Sequence, residues 1–466
     1  MFKVLGILLL TILTATTLSC KKNTSFSKNN LNFSIDTLVF DTVFTTIGST
    51  TKQLKIYNND NVPIRIESIS LKNGINSPFR LNVDGKAGTN FSNIEIAPND
   101  SIYTFVDVKL SVNNQSLPMV VEDEIQFTTN GKTQKVQLAV WGQDIHYHYS
   151  DMLNGTILDF NEGTWGNDKP HLIYGAAIVD EGKTLTIPAG TKVHLHNNAR
   201  LIIYKATLNI EGTLGNEVTF QGDRLESDYD NVTNQYYGIY FDSARTSTIN
   251  YLELKNASVG IHLFGNNESN VPNEYTLTIT NSKILNNGYY GILSYRGSSV
   301  HVENSIISNN ESFGFLSLVG GKFNFNHCNI LGYKSSNQSQ AFGVINYFTE
   351  NELTYVSSVK GTVTNSIIYG YNENEIGFDT LTNINGISIN IDFQRNLIKK
   401  DTTNLPSWYT NNSIWNKDPS FTNISEFDFT LLLNSPAIGI GDNTFPYFNN
   451  LNLKGVNVSP PNIGPL

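Results

Sequence analysis

The sequence predicts an all-β chain, a β-sandwich followed by a parallel β-helix of about ten turns. Three observations predict it. First, residues 276–298, 299–321 and 322 onward align at a fixed offset of 23 residues. Leu277, Val300 and Phe323 then share a column, as do Ile279, Val302 and Phe325, Ser282, Ser305 and Cys328, and Ile284, Ile307 and Ile330. A fixed period of this size marks units that bury their apolar faces by stacking on one another. Second, apolar and polar residues alternate inside each unit, with Gly and Asn as punctuation, so the unit is a set of short strands and turns. Third, a Gly-apolar step recurs at Gly238, Gly260, Gly291, Gly314 and Gly343, at intervals of 22, 31, 23 and 29 residues. The excess over 23 in two of them predicts loops near 266–273 and 335–340, and residues 347–359 read as a further insertion; such insertions gather on one face of a coil.

The N-terminus predicts export. Met1-Phe2-Lys3 precedes the apolar run Val4 to Leu13, and small and polar residues follow up to Cys20. A basic start, a short apolar stretch and a processing region make a signal peptide over 1–19. The end of it, Thr17-Leu18-Ser19-Cys20, resembles a bacterial lipoprotein box, with Leu at minus two where such boxes usually have it at minus three. The resemblance implies lipidation of Cys20, anchorage in the outer membrane and a membrane contact through acyl chains. Residues 20–31 are polar and suit a tether. Cys328 is then alone in an oxidising compartment, and its column predicts a buried, small apolar role.

Residues 32–144 alternate in strands at Leu38–Phe40, Gln53–Tyr57, Ile64–Leu71, Ile102–Leu110 and Val136–Val140, with turns at Asn58–Asn61 and Asn130-Gly131. This spacing suits an immunoglobulin-like sandwich. The segments Gly48 to Asn58, Pro63 to Ile66, Ile96 to Asp100 and Phe127 to Gly131 resemble the ASPM/SPD-2/Hydin-like immunoglobulin domains, which serve as spacers or docking surfaces. Residues 145–170 read as an aromatic connector. From 171 to 466 the chain resembles the pectate-lyase-like, right-handed parallel β-helix superfold. The segments Asp418 to Phe421, Ser435 to Gly439 and Asn462 to Gly464 resemble its closing region. The whole chain is similar to envelope lipoproteins of the Bacteroidota. Ten turns at the strand spacing give a rod of about 50 Å.

Many such rods cut acidic polysaccharides, which sets the chemistry to look for. A lyase needs a base and a cation, and a hydrolase needs paired carboxylates. Asp223, Arg224, Glu226, Asp228 and Asp230, followed by Tyr236 and Tyr237, gather acids, a cation and a sugar-stacking surface in one loop. Tyr295-Arg296 ends another strand with an aromatic-cation pair, and Lys255 and Arg395 are further cations. The bland alternative for each is a solvated loop or turn. Asn286 and Asn309 read as turn residues. His194 and His196, and likewise His146 and His148, are two apart and so share a face. Two ligands do not close a zinc site, and no metal site is predicted. Calcium between loops is an unlocalised option, and no other cofactor is expected. A net charge of −10 with no basic stripe argues against nucleic acid. The expected function is a non-catalytic envelope protein whose rod binds a glycan or another envelope component. The alternative is a polysaccharide lyase or glycoside hydrolase acting on an acidic polysaccharide.

Overall fold

The computed structural model describes residues 25–112, 119–149, 159–160, 163–265, 274–336, 339–401, 403, 410–411, 413–445 and 448–466. Cys20 and the signal sequence lie outside them, as does the loop expected near 266–273. No helix among the described residues is long and apolar enough to cross a membrane. The chain divides into two compact units, residues 1–144 and 145–466.

The first unit is a β-sandwich of two five-stranded sheets. Strand Asp100–Val108 shows why: Ile102, Thr104, Val106 and Val108 are buried while Tyr103 and Phe105 face out. Leu54, Ile56, Phe79, Val106, Ile125, Phe127 and Val136 fill the space between the sheets. Pairing is antiparallel except between Thr37–Phe44 and Lys132–Gln143, which run parallel. The turn Asn130-Gly131, with φ of 54° and 69°, closes a tight hairpin of the kind such dipeptides favour. Strands Phe79–Val83, Lys86–Gly88, Asn90–Ile96 and Met119–Thr129 are additions to the expected set.

The second unit is a parallel β-helix. Its coils lay strands into three parallel sheets of eleven, nine and ten strands, here sheets I, II and III, which begin at His146–Tyr149, Asp159–Phe160 and Gly163–Thr164. The first coil therefore lies inside the stretch 145–170 read as a connector: His146–Tyr149 pairs in parallel with His171–Tyr174. One coil runs Tyr290–Tyr295 in sheet II, Ser299–Glu303 in III and Ile306–Ser308 in I.

The predicted columns are neighbours in register. Leu277 pairs with Val300 and Val300 with Phe323, and Ile284 with Ile307 and Ile307 with Ile330. All are fully or almost fully buried in one continuous core. Volumes compensate along a column rather than match. Phe323 pairs with Gly361, where an added Cβ would stand 2.1 Å from the Phe323 ring.

Turns repeat as faithfully as strands. Asn281, Asn304, His327, Asn365 and Arg395 all take left-handed backbone at the III-to-I corner, as do Asn286 and Asn309 after sheet I. Asn tolerates that region better than most residues. Inside the III-to-I corner the Ser282 amide donates to Ser305 Oγ and the Cys328 amide to Ser366 Oγ. Cys328 is fully buried in that polar ladder, and burial pushes its thiol pKa up. A second ladder fills the I-to-II corner. Asn287 Oδ1 accepts from the Ala257 amide, and Asn310 Oδ1 accepts from Asn287. Two coils beyond Asn310 the acceptor is Glu375, bonded by the amides of Ala341 and Asn372.

The C-terminal segment covers the outer face of sheet I. Phe421, Phe429, Ala437, Leu453 and Ile463 pack on Leu285, Ile306, Leu331, Ile367 and Leu397. Asn365 holds it in place, accepting from the Asp442 amide and donating to the Asp442 carbonyl.

Candidate functional site

The acidic and basic side chains of the loop that the sequence singled out take separate partners. Asp223 follows strand Val218–Gly222 of sheet I and its Oδ2 lies 2.7 Å from Nδ1 of His196 in the preceding coil. Its side chain is largely buried, and that burial raises its pKa against the opposing pull of His196 and Arg224. Tyr174 stacks on His196 with ring centres 3.9 Å apart. Burial, with Asp223 nearby, pushes the Tyr174 hydroxyl up to about 12. Arg224 turns to Glu226 at 3.1 Å and lies 3.8 Å over the Tyr229 ring. Asp228 and Asp230 are exposed, and neither is in an ion pair among the described residues. In this loop Asp223 is thus paired with His196 and Glu226 with Arg224.

Tyr236 is corrected outright. It is 1% exposed, and its hydroxyl donates to the carbonyls of Phe220 and Lys255. A ring inside the core cannot stack on a sugar. The reason is parity. Tyr236 and Tyr237 point to opposite sides of the coil wall, so only one can face out. His194 and His196 likewise part company. His194 is buried with Nδ1 3.2 Å from the Gly222 carbonyl, whereas His196 lies past the strand end.

His146 and His148 do share a face, within the first coil. The His148 and His171 rings stack on Trp165 at 4.5 and 4.6 Å, and His148 Nε2 lies 2.8 Å from His171 Nδ1. His146 pairs with Asp168 at 2.9 Å. Burial lowers His148 to about 3 and His171 to about 4, so both are neutral at pH 7. Among the described residues no group of three or more His, Cys, Asp or Glu is placed to hold a metal ion.

The outer face of sheet II is where the remaining candidates gather. Tyr237 lies at its first edge. Its hydroxyl shares a 2.7 Å hydrogen bond with Nδ1 of His262, and the Arg200 guanidinium lies 4.2 Å over its ring. Burial, then the Arg200 charge, lowers His262 to about 4, so the imidazole is neutral. The Tyr240 ring lies 4.8 Å from His262, and burial pushes the Tyr240 hydroxyl up to about 12. Tyr240 pairs with His262, and His262 with Leu293. Beside that column run Phe264, Tyr295, Leu318 and Ile345, paired in turn. Val259, Leu293 and Leu316 form an apolar cluster of their own on this face, joined by the half-buried Tyr290, Tyr295 and Phe313. Arg296 has left-handed backbone, as a turn residue should, and its guanidinium lies 5.8 Å from the rings of Phe264 and Tyr295 and 5.2 Å from Tyr355. Neither Arg200 nor Arg296 has a carboxylate partner among the described residues. Five strands at the parallel spacing make a face roughly 20 Å long.

Comparisons with known proteins add no identity. No protein-family model matches the chain, and no curated protein matches it either. Among solved structures, a thermostable GH87 alpha-1,3-glucanase from Streptomyces thermodiastaticus is similar over 75% of this chain and 74% of its own, at 10% identity and a TM-score of 0.29. A family 123 glycoside hydrolase from Clostridium perfringens matches over 25% of this chain and 26% of its own, at 11% identity and a TM-score of 0.17. An ASH/PapD-like domain of human CEP192 matches over 24% of this chain and 85% of its own, at 8% identity and a TM-score of 0.17. Likenesses this distant carry no residue roles across.

Sequence reasoning named Tyr237, Tyr295 and Arg296 but missed Arg200, Tyr240, His262, Phe264 and Tyr355. A signal for three of these was present. The second and fourth residues after each Gly of the recurring step are the outward positions of sheet II, which gives Tyr240, His262, Phe264 and Tyr295.

Proposed function

We propose that this is an exported, lipid-anchored envelope protein whose β-helix binds a glycan along the outer face of sheet II without cleaving it. The supporting observation is the run Tyr237, Tyr240, Phe264, Tyr295 and Tyr355 with Arg200 and Arg296 among the rings. Half-exposed rings stack on the apolar faces of sugars, and guanidiniums without acid partners donate to hydroxyls or carboxylates. The lipid anchor rests on residues 1–20 alone, and the sandwich is a spacer of the ASPM/SPD-2/Hydin-like kind. A catalytic reading has one favouring observation, the His196–Asp223 pair, in which a buried carboxylate orients an imidazole as a general base requires.

Affinity electrophoresis separates these readings. The mature protein is run through gels containing hydroxyethylcellulose, carboxymethylcellulose, xylan or polygalacturonate, with and without calcium, and stained for remaining polymer. Retardation without clearing is the expected result. Clearing around the band favours the enzyme, and unchanged migration in every gel overturns the glycan reading.

A further inference from the structure

The coil between sheets II and III carries an insertion that stands apart from the rod's three sheets. Strands Tyr347–Glu350 and Leu353–Val356 form an antiparallel hairpin that pairs only with itself. Asn351 and Glu352 turn it with φ of 49° and 65°, the double left-handed turn of a two-residue hairpin loop. A lone hairpin is marginal in water. This one also shows apolar side chains to solvent: Phe348, Leu353 and Tyr355 are 38%, 62% and 41% exposed.

The rod nevertheless fixes its position. At the base the Ser357 amide donates to the Asn346 carbonyl. Buried Asn346 is itself locked, donating to the Leu381 carbonyl and accepting from the Leu381 amide. Along its length two contacts tie the hairpin to the edge of sheet II. The Tyr347 hydroxyl donates to Asp379 at 2.9 Å, and Arg296 lies between Tyr355 and the Phe264 and Tyr295 rings. The hairpin thus leaves one coil, reaches back to the coil of Arg296, and stands beside the Phe264–Tyr295–Leu318–Ile345 column.

We infer that the hairpin of residues 347–356 is the specificity-determining wall of the sheet II face, contacting a bound sugar from the side through Tyr355 and Arg296. This inference rests on the glycan reading above. A flat face holds a chain by stacking alone, which is tolerant of sugar identity. A wall adds an aromatic ring and a five-donor fork at a fixed place, so ligands that fit there are separated from those that do not.

The test uses the full mature chain in the same four gels, with two variants. One replaces residues 347–356 by two glycines, which the closed base at Asn346 and Ser357 can bridge. The other is Tyr355→Ala, a half-exposed side chain whose loss leaves the coil intact. Both are expected to weaken retardation at least fivefold in the best-binding polymer and to narrow the ratio between carboxymethylcellulose and hydroxyethylcellulose, which share a backbone and differ in charge. Should the first variant fail to fold, Tyr355→Ala alone decides. Wild-type strength and wild-type rank order in the variants overturn the inference while leaving the glycan reading intact. A wild-type protein that no gel retards overturns the glycan reading and this inference with it.

Discussion

Glu375 gives the sharpest prediction about what holds the rod together. Its side chain is fully buried in the I-to-II corner, where earlier coils place Asn287 and Asn310. Gly332 and Gly370 make room for it, since a Cβ on either would stand 2.3 or 2.2 Å from a carboxylate oxygen. Burial raises its pKa from the ordinary 4.5 to about 7, against amide donors from Ala341 and Asn372 and the charge of Lys399. The sign follows from linkage. The unfolded chain releases this proton near 4.5, whereas the folded chain keeps it until about 7, so folding loses stability as pH rises between those values. The loss amounts to ~3 kcal/mol at pH 8 relative to pH 4.5. Glu375→Gln removes that loss. It also places an amide NH2 opposite one of the two N–H donors, at a cost of ~1–3 kcal/mol that is independent of pH. The assay is denaturant unfolding of both proteins from pH 4.5 to 8.5. The expected result is that the variant gains ~3 kcal/mol on the wild type across that range. A difference between them that stays flat with pH refutes the reasoning.

Three further outcomes follow from the coil interior. His148 and His171 titrate well below the ordinary 6.5 because they are buried, so the unfolded state binds protons that the folded state does not. Stability is therefore full above pH 6.5 and falls as pH drops toward 4, by on the order of 3 kcal/mol for each histidine. A shift in Trp165 emission, absent in Trp165→Phe, reports it. Cys328→Ser places a hydroxyl where Ser305 and Ser366 already stand in the same ladder, so it changes unfolding free energy by less than about 1 kcal/mol, while the wild-type thiol resists labelling until the rod unfolds. Gly361→Ala pushes a methyl into the Phe323 ring and costs about 1–3 kcal/mol in the same assay.

The register of the coil was legible because parallel pairing puts residues one period apart side by side. Leu277, Val300 and Phe323 could be aligned before any strand was located, and so could Ser282, Ser305 and Cys328, a column that the structure places at a corner. The first coil was not legible. Its strands His146–Tyr149, Asp159–Phe160 and Gly163–Thr164 lie below the repeat's start, and histidines occupy the inward positions that aliphatic residues fill elsewhere. Outward columns are the harder case. Packing constrains an inward residue through its neighbours' volume, but nothing in the coil dictates whether an outward position is solvated, covered or left to a ligand. Leu285 and Leu293 follow the same alternation, yet the chain's own C-terminal segment covers Leu285, while Leu293 belongs to the sheet II face. That choice depends on segments more than 100 residues away in sequence, which no local pattern reports. The same blindness passed over Arg200, which pairs with Gly238 and lies outside the recurring step, whereas Tyr236 was misplaced by parity.

The most direct test of the account removes the rings from the sheet II face and leaves the fold alone. Tyr240→Ala/Tyr295→Ala deletes two outward side chains from neighbouring columns without touching the continuous core. In affinity gels of the polymer that retards the wild type, this double variant should migrate as it does in a gel without polymer, while its far-ultraviolet circular dichroism is unchanged. Full retardation of a correctly folded double variant would contradict the claim that this face is where the protein binds.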